Sequence, residues 1–274
     1  MAVSVLCDIA CELGEGPSYD PRTDTLWWFD IVGRKLIEWP FAKGAAIVHD
    51  LPFMASVLAR IDDDNQLIAA EDGLYVRETS CGAFKLIKPL EADNEVTRSN
   101  DGRVHPSGAL WVGTMGKKAE TGAGAIYWYF KGELRTLYPD ISIPNSICFS
   151  PDGAIAYFSD TVTNKIMKVA CDPATGLPTG EPEVFFDNEG DSSGSKGGWP
   201  DGSVCDAEGK NCKELGDLEE ILAKSRNPAE QLAAWQGWHD TTGRAERDKF
   251  LRFVDLANAG ARGIGFASMT AMSW

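Results

Sequence analysis

The sequence predicts a mainly β protein assembled from a repeated unit, and three observations predict it. Apolar, strand-like runs begin near Leu26, Leu67, Leu110 and Ala156, a spacing of roughly 40 to 46 residues that matches a four-stranded propeller blade. Turn signals punctuate those runs: Asp-Gly pairs start at residues 72, 101, 152 and 201, and Pro106-Ser107-Gly108 forms another break. The 274 residues include 28 Gly and 14 Pro, which suits a turn-rich β chain rather than a helical one. Short strands at such intervals also build sandwiches; the repeat with its Asp-Gly turns favours the propeller.

Taken in order, Leu13 to Asp30 read LGEGPSYDPRTDTLWWFD. Gly14, Gly16 and Pro17 predict a tight bend, Pro21 to Thr25 a turn, and Leu26 to Phe29 a strand, with a second strand at Arg34 to Trp39 after Gly33. Residues 57–77 repeat the theme as VLARIDD, QLIAAEDG and LYV around a turn at Asp64-Asn65. The stretch Thr97 to Met115 is the third occurrence: a polar cluster of Arg98, Asn100 and Asp101, the turn at Pro106, then an apolar strand. It is followed by a turn at Gly124 and a strand at Ala125 to Tyr129. Ile147 to Thr161 is the fourth, with a further strand at Lys165 to Val169, and PDGSVCDAEGK opens a fifth at Pro200.

After Gly209 the pattern stops. Lys213 to Trp274 lacks Pro-Asp-Gly turns, and its apolar residues fall at helical spacing, as in Leu218, Ile221 and Leu222. Asn227 before Pro228 reads as an N-cap with Pro at the first helical position. Three helices are expected, at about 216–225, 228–239 and 244–262. The chain therefore divides into a partial propeller over 1–210 and a helical tail of different origin over 213–274.

The net charge of −15 argues against nucleic acid, since phosphate binding needs Lys and Arg to displace counterions. Seven cysteines, an odd number with no CxxC pair, argue against a zinc finger or disulfide framework and for a reducing compartment. The N-terminus carries no basic leader, and no apolar run reaches the length of a membrane span. A cytoplasmic protein without membrane partners is expected; its oligomeric state is not readable.

The motifs LGEGP at 13–17, LWWFDI at 26–31, RSNDGRVHPSGALWVGTM at 98–115, IPNSICFSPDG at 143–153 and PDGSVCDAEG at 200–209 resemble the gluconolactonase and senescence-marker-protein family, which includes regucalcin. The resemblance implies a six-bladed β-propeller, here incomplete at about four to five blades. It also implies one divalent metal ion (Ca, Zn, Mg or Mn) and hydrolysis of a sugar lactone. Carried over motif by motif, it makes Glu15, Asn145 and Asp201 metal ligands, Arg98 and Asn100 substrate contacts, and Asp201 the general base as well. Where some members place a Glu after the GTM motif, this chain has Gly116-Lys117-Lys118, so the sugar stays open. The tail from about 213 resembles a helical region of the angiotensin-converting-enzyme-like metallopeptidases. The chain contains no HExxH, so no peptidase activity is expected.

The chemistry suits the residues. A lactone is an internal ester; its hydrolysis needs an activated water and a stabilised oxyanion, which carboxylates, an amide oxygen and a hard cation can provide. Other readings stand beside this one. The Asp-Gly pairs are turn formers first, and Asp72 and Asp152 are assigned wholly to turns. His49 and His105 read as surface histidines, the Trp27-Trp28 pair as core, and Lys117-Lys118 as a solvated loop. For the whole chain the alternatives are a calcium-binding regulatory protein of the regucalcin type, and a non-functional chimera whose propeller does not close.

Overall fold

The computed structural model describes residues 5–187 and 199–205, within the unit that ends at Cys205. The expected helices beyond residue 213 lie outside the described residues. The described chain is β throughout, apart from one 3-10 turn at Thr161–Thr163.

Four antiparallel four-stranded meanders follow one another. Blade one is β1 (Gly14–Asp20), β2 (Thr25–Asp30), β3 (Lys35–Pro40) and β4 (Ile47–Asp50). Blade two is β5 (Ala55–Arg60), β6 (Asn65–Ala70), β7 (Gly73–Glu78) and β8 (Phe84–Pro89). Blade three is β9 (Thr97–Val104), β10 (Leu110–Gly116), β11 (Gly124–Phe130) and β12 (Glu133–Ile141). Blade four is β13 (Pro144–Phe149), β14 (Ile155–Asp160), β15 (Lys165–Ala170) and β16 (Glu183–Asp187). The first strands of successive blades lie side by side, β1 by β5, β5 by β9 and β9 by β13, which is a propeller arrangement of four blades.

The four apolar runs that set the repeat are β2, β6, β10 and β14, the second strand of each blade. They are the easiest to read because both faces are covered: β10 is buried at every position. The last strands of the blades are hard to read for the opposite reason. β4, β8, β12 and β16 are exposed or half-buried along their length and mix charges with apolar residues.

The core lies between blades. Phe29, Leu36, Phe53 and Ile68 pack blades one and two together, and Val57, Leu74, Leu110 and Val112 join two to three. Trp111, Ile126, Ile147, Phe149 and Phe158 join three to four. Each such side chain contributes about 1.5–3 kcal/mol on burial, so each blade is stabilised by its neighbours. Trp27 belongs to the core as expected, at 8% exposure.

Three local expectations are corrected. Gly14, Gly16 and Pro17 do not form a free-standing bend but lie within β1, where the pairing with β2 slips between Glu15 and Ser18. The cluster Arg98, Asn100 and Asp101 lies inside β9 rather than ahead of a strand. His105 is not at the surface: it is 1% exposed, edge-on to Phe149. Its Nδ1 accepts from the Ser107 N–H at 3.0 Å, so the proton sits on Nε2, which donates to the Gly153 carbonyl at 2.9 Å. A histidine surrounded by polar turn residues in the sequence is thus a pin between blades three and four. No helix among the described residues is long and apolar enough to cross a membrane.

Candidate active site

One main-chain hydrogen bond recurs in every blade. The N–H just past the second strand donates to the carbonyl just before the first: Ile31 to Leu13 at 2.9 Å, Glu71 to Met54 at 2.9 Å, Lys117 to Val96 at 2.8 Å and Thr161 to Ile143 at 2.9 Å. Two residues on from those four carbonyls stand Glu15, Ser56, Arg98 and Asn145. Three of the residues singled out from the sequence therefore occupy one register position in three different blades, on the innermost strands and at the same end of the repeat.

Each innermost strand is also irregular at that place. Pairing breaks between Glu15 and Ser18, between Ala55 and Val57, opposite Val112 and Thr114, and between Asn145 and Cys148. A bulge turns a side chain out of the regular alternation, which is why such irregularities collect beside functional sites. The residues after Glu15 and Asn145 take left-handed backbone, Gly16 at φ 61° and Ser146 at φ 59°. A side chain on Gly16 would come within 2.1 Å of the Ser56 carbonyl oxygen, so this position tolerates only glycine.

Carboxylates at the ends of second strands hold the entries. Asp30 accepts from the N–H groups of Glu12, Leu13 and Gly33 at 3.1, 3.0 and 3.0 Å. Asp160 accepts from Ser142 and Ile143 at 2.9 and 3.0 Å. Glu15 and Asn145 follow two residues after Leu13 and Ile143, so these bonds set where their side chains start.

Asp201 joins the site from beyond blade four. Its main-chain carbonyl accepts from both the N–H and the hydroxyl of Ser146, at 2.7 and 2.8 Å. The neighbouring Pro200 carbonyl accepts from the Thr161 hydroxyl at 2.8 Å.

The electrostatics are those of converging carboxylates. Burial pushes the Glu15 carboxyl above its usual value, the negative charge of Asp201 adds to this, and Arg98 opposes it. Asp101, half-buried beside them, is also pushed up, chiefly by desolvation. The main-chain N–H of Ile147, at 2.8 Å from its Oδ2, and that of Gly102, at 2.8 Å from its Oδ1, hold it in place. The Asp101-Gly102 pair is therefore a tie from blade three to blade four rather than a hairpin turn. Asp152 does form the expected turn, accepting from the Ala154 N–H at 3.0 Å.

Arg98 donates from Nη1 to the Ser99 carbonyl at 2.8 Å and to Asn100 Oδ1 at 2.9 Å. Asn100 donates from Nδ2 to the Pro144 carbonyl and to Asn145 Oδ1, both at 2.9 Å. Asn145 donates from Nδ2 to Thr161 Oγ1 at 2.9 Å. Arg98, Asn100 and Asn145 are thus brought into one hydrogen-bonded group. Asn100 is a bridge within it, with its amide N–H groups directed to blade four.

These residues fit a hard cation. Among the described residues no group of three or more His, Cys, Asp or Glu side chains is placed to hold a metal ion. A cation held by carboxylates here would need a further oxygen ligand, and the Asn145 amide oxygen is of the right kind: an all-oxygen set suits Ca²⁺, Mg²⁺ or Mn²⁺. Asn145 Oδ1 accepts one hydrogen bond from Asn100 and keeps a second lone pair.

Sequence reasoning missed Ser56, Thr161 and Ser146. Ser56 and Ser146 are small residues whose importance comes from register alone. Thr161 stands in the sequence only as the last residue of the fourth repeat. Lys117, expected to be solvated, pairs with Glu71 Oε2 at 2.7 Å across blades two and three. His49 is half-buried, bonded to Glu38 at 2.8 Å and stacked on Trp27.

Two family models match overlapping parts of the chain. Residues 13–223 match the family model described as the SMP-30/Gluconolactonase/LRE-like region, and residues 196–274 match part of the model described as angiotensin-converting enzyme. A Rhizobium meliloti (strain 1021) protein that carries a sugar lactone lactonase name is 53% identical over 204 residues, 74% of this chain and 67% of that one. The L-arabinolactonase of Azospirillum brasilense is 32% identical over 214 residues, 75% of this chain and 68% of the other. The crystal structure of regucalcin from Agrobacterium tumefaciens str. C58, described as a calcium-binding protein, is 56% identical. It superimposes with a TM-score of 0.71 over 75% of this chain and 68% of its own. With its family match extending over most of its length, the chain belongs to the SMP-30/gluconolactonase/LRE-like family.

Proposed function

We propose that the chain hydrolyses a sugar lactone with the help of one divalent cation held by Glu15, Asn145 and Asp201. The observation that carries the reading is the shared register position of Glu15, Arg98 and Asn145, with Asp201 tied to the next residue, Ser146. Lactonase names among the relatives support the substrate class. When bound, the cation supplies a Lewis acid for the carbonyl oxygen of the lactone.

The residues divide the remaining work. Asp201 takes a proton from the attacking water, whose oxygen bonds to the carbonyl carbon. The ring C–O bond then breaks, and the ring oxygen leaves with that proton as the hydroxyl of the hydroxy acid. Arg98 keeps Nε and Nη2 for sugar hydroxyls, because its Nη1 donors are committed to Ser99 and Asn100. Asn100 contributes mainly by holding Arg98 and Asn145 in register. The absence of a Glu after Met115 leaves the choice of sugar open.

The test is turnover of a panel of aldonolactones by the full chain, with and without chelator. Asp201→Ala is expected to lose both cation binding and hydrolysis, by at least about a hundredfold in kcat/KM. Arg98→Ala is expected mainly to raise KM. Undiminished turnover by Asp201→Ala overturns the assignment.

A second reading has a specific observation behind it, the likeness to a calcium-binding regucalcin. In it the same three ligands bind Ca²⁺ without significant turnover. Calcium-dependent stabilisation with no hydrolysis of any lactone distinguishes it. In both readings residues 1–210 are the functional part and 213–274 a tail of separate origin, in a cytoplasmic protein.

A further inference from the structure

We infer that Thr161 is a positioning residue for the cation site, because its hydroxyl dictates which end of the Asn145 amide faces Asn100 and Arg98. The inference rests on the metal reading above and concerns a residue outside the proposed ligand set.

The argument is one of hydrogen-bond polarity. The Pro200 carbonyl can only accept, so at 2.8 Å the Thr161 hydroxyl must donate its single proton there. Thr161 Oγ1 can then only accept from Asn145, at 2.9 Å, which requires Nδ2 to be the atom facing it. Oδ1 of Asn145 is therefore turned the other way. The opposite end of the chain gives the same answer. The Pro144 carbonyl also only accepts, so the amide N–H groups of Asn100 face blade four and meet Asn145 at an acceptor. Arg98, a pure donor, closes that end on Asn100 Oδ1. All the bonds run in one sense, from the guanidinium through Asn100, Asn145 and Thr161 to the Pro200 carbonyl.

A flipped Asn145 amide would set Nδ2 against Asn100 Nδ2 and Oδ1 against a hydroxyl whose proton is already placed. Two hydrogen bonds would be lost in a group where Thr161 is buried at 9% exposure. The hydroxyl has a second consequence. Pro200 precedes Asp201, so the same atom that orients one proposed ligand tethers the backbone of another. Thr161 owes this place to its position just past β14, where Ile31, Glu71 and Lys117 stand in the other blades.

The experiment is titration calorimetry on the full chain with Ca²⁺, Mg²⁺, Mn²⁺ and Zn²⁺ in turn, followed by the tightest ion with three variants. Thr161→Val keeps the shape and removes the hydroxyl, and is expected to weaken Kd about 10- to 100-fold. Thr161→Ser keeps the hydroxyl and is expected to return Kd close to the wild-type value, a rescue that a purely space-filling role would not produce. Thr161→Cys, which donates and accepts weakly, is expected between them and decides alone if the valine variant does not fold. A wild-type Kd in the valine or cysteine variant overturns the inference and leaves the metal reading standing. A serine variant as weak as valine also overturns it. A wild-type chain that binds none of the four ions overturns the metal reading, and this inference with it.

Discussion

In blade one the shared register position carries Glu15 and the next residue is Gly16; in blade four the same two places carry Asn145 and Ser146. Both second residues take left-handed backbone, and each lies against a carbonyl of the following segment, Ser56 or Asp201. The solutions differ. Gly16 meets its neighbour through an absence, since any Cβ would strike the Ser56 oxygen. Ser146 accepts the strain of a left-handed conformation and returns a side-chain hydrogen bond to Asp201 in addition to the main-chain one. The left-handed backbone after the register position is thus common to both blades. The chemistry offered, a carboxylate in one and a neutral amide in the other, is set by one residue at one place. A repeat fold offers different chemistry in this way, with a recurring strand arrangement and a different side chain at each shared register position.

The comparison can be broken most severely at Gly16. Gly16→Ala meets both a strained left-handed φ and a backbone oxygen, and is expected to destabilise the chain by about 3 kcal/mol, read as a fall in the urea midpoint. A loss under about 1 kcal/mol would mean that blades one and two separate easily there. Asp30→Ala comes next. It leaves three main-chain N–H groups without their acceptor and is expected to cost about 2–3 kcal/mol.

Asp30 also gives the comparison a pH dependence. Burial by itself raises Asp30, but the N–H groups of Leu13, Glu12 and Gly33 outweigh it and hold the carboxyl below its ordinary value. A folded value below the unfolded one stabilises the fold above the ordinary Asp range and loses that contribution as pH falls through it. The stability gap between wild type and Asp30→Asn should therefore be full at pH 6 and shrink below about pH 4. A gap that stays constant down to pH 3 would exclude the carboxylate as its source. The smallest effect belongs to Ser146→Gly. Relief of left-handed strain and loss of the hydroxyl bond to Asp201 are each about 1 kcal/mol and opposite in sign, so the net change should stay within about 1 kcal/mol. A larger loss would show that the serine hydroxyl, not the backbone, holds Asp201.

Legibility followed burial. The second strands, covered on both faces, announced themselves as apolar runs and set the repeat. β9 did not, because its inner half is polar: Arg98, Asn100 and Asp101 read as a cluster ahead of a strand, while the structure pairs them within one. Glu15, Asn145 and Asp201 stood out only through motif resemblance. Ser56, Ser146 and Thr161 did not stand out, since a serine or threonine at a strand end has no sequence signature distinguishing it from a surface residue. His105 was misread for the same reason. Its neighbours in sequence are the turn residues Pro106, Ser107 and Gly108, but its neighbours in space include Phe149 and the Gly153 carbonyl.

By itself the sequence determined the β class, the blade-length repeat, the family and the types of side chain available to the site. Those follow from local pattern, because apolar alternation and turn residues act over a few positions along the chain. Tertiary structure alone decided that Glu15, Arg98 and Asn145 share one register position, that Asp201 is gripped by Ser146, and that the Asn145 amide points as it does. The physical reason is that these facts depend on hydrogen bonds between residues tens of positions apart. Their direction is fixed by which partner can only accept, and that is settled only when the blades are side by side.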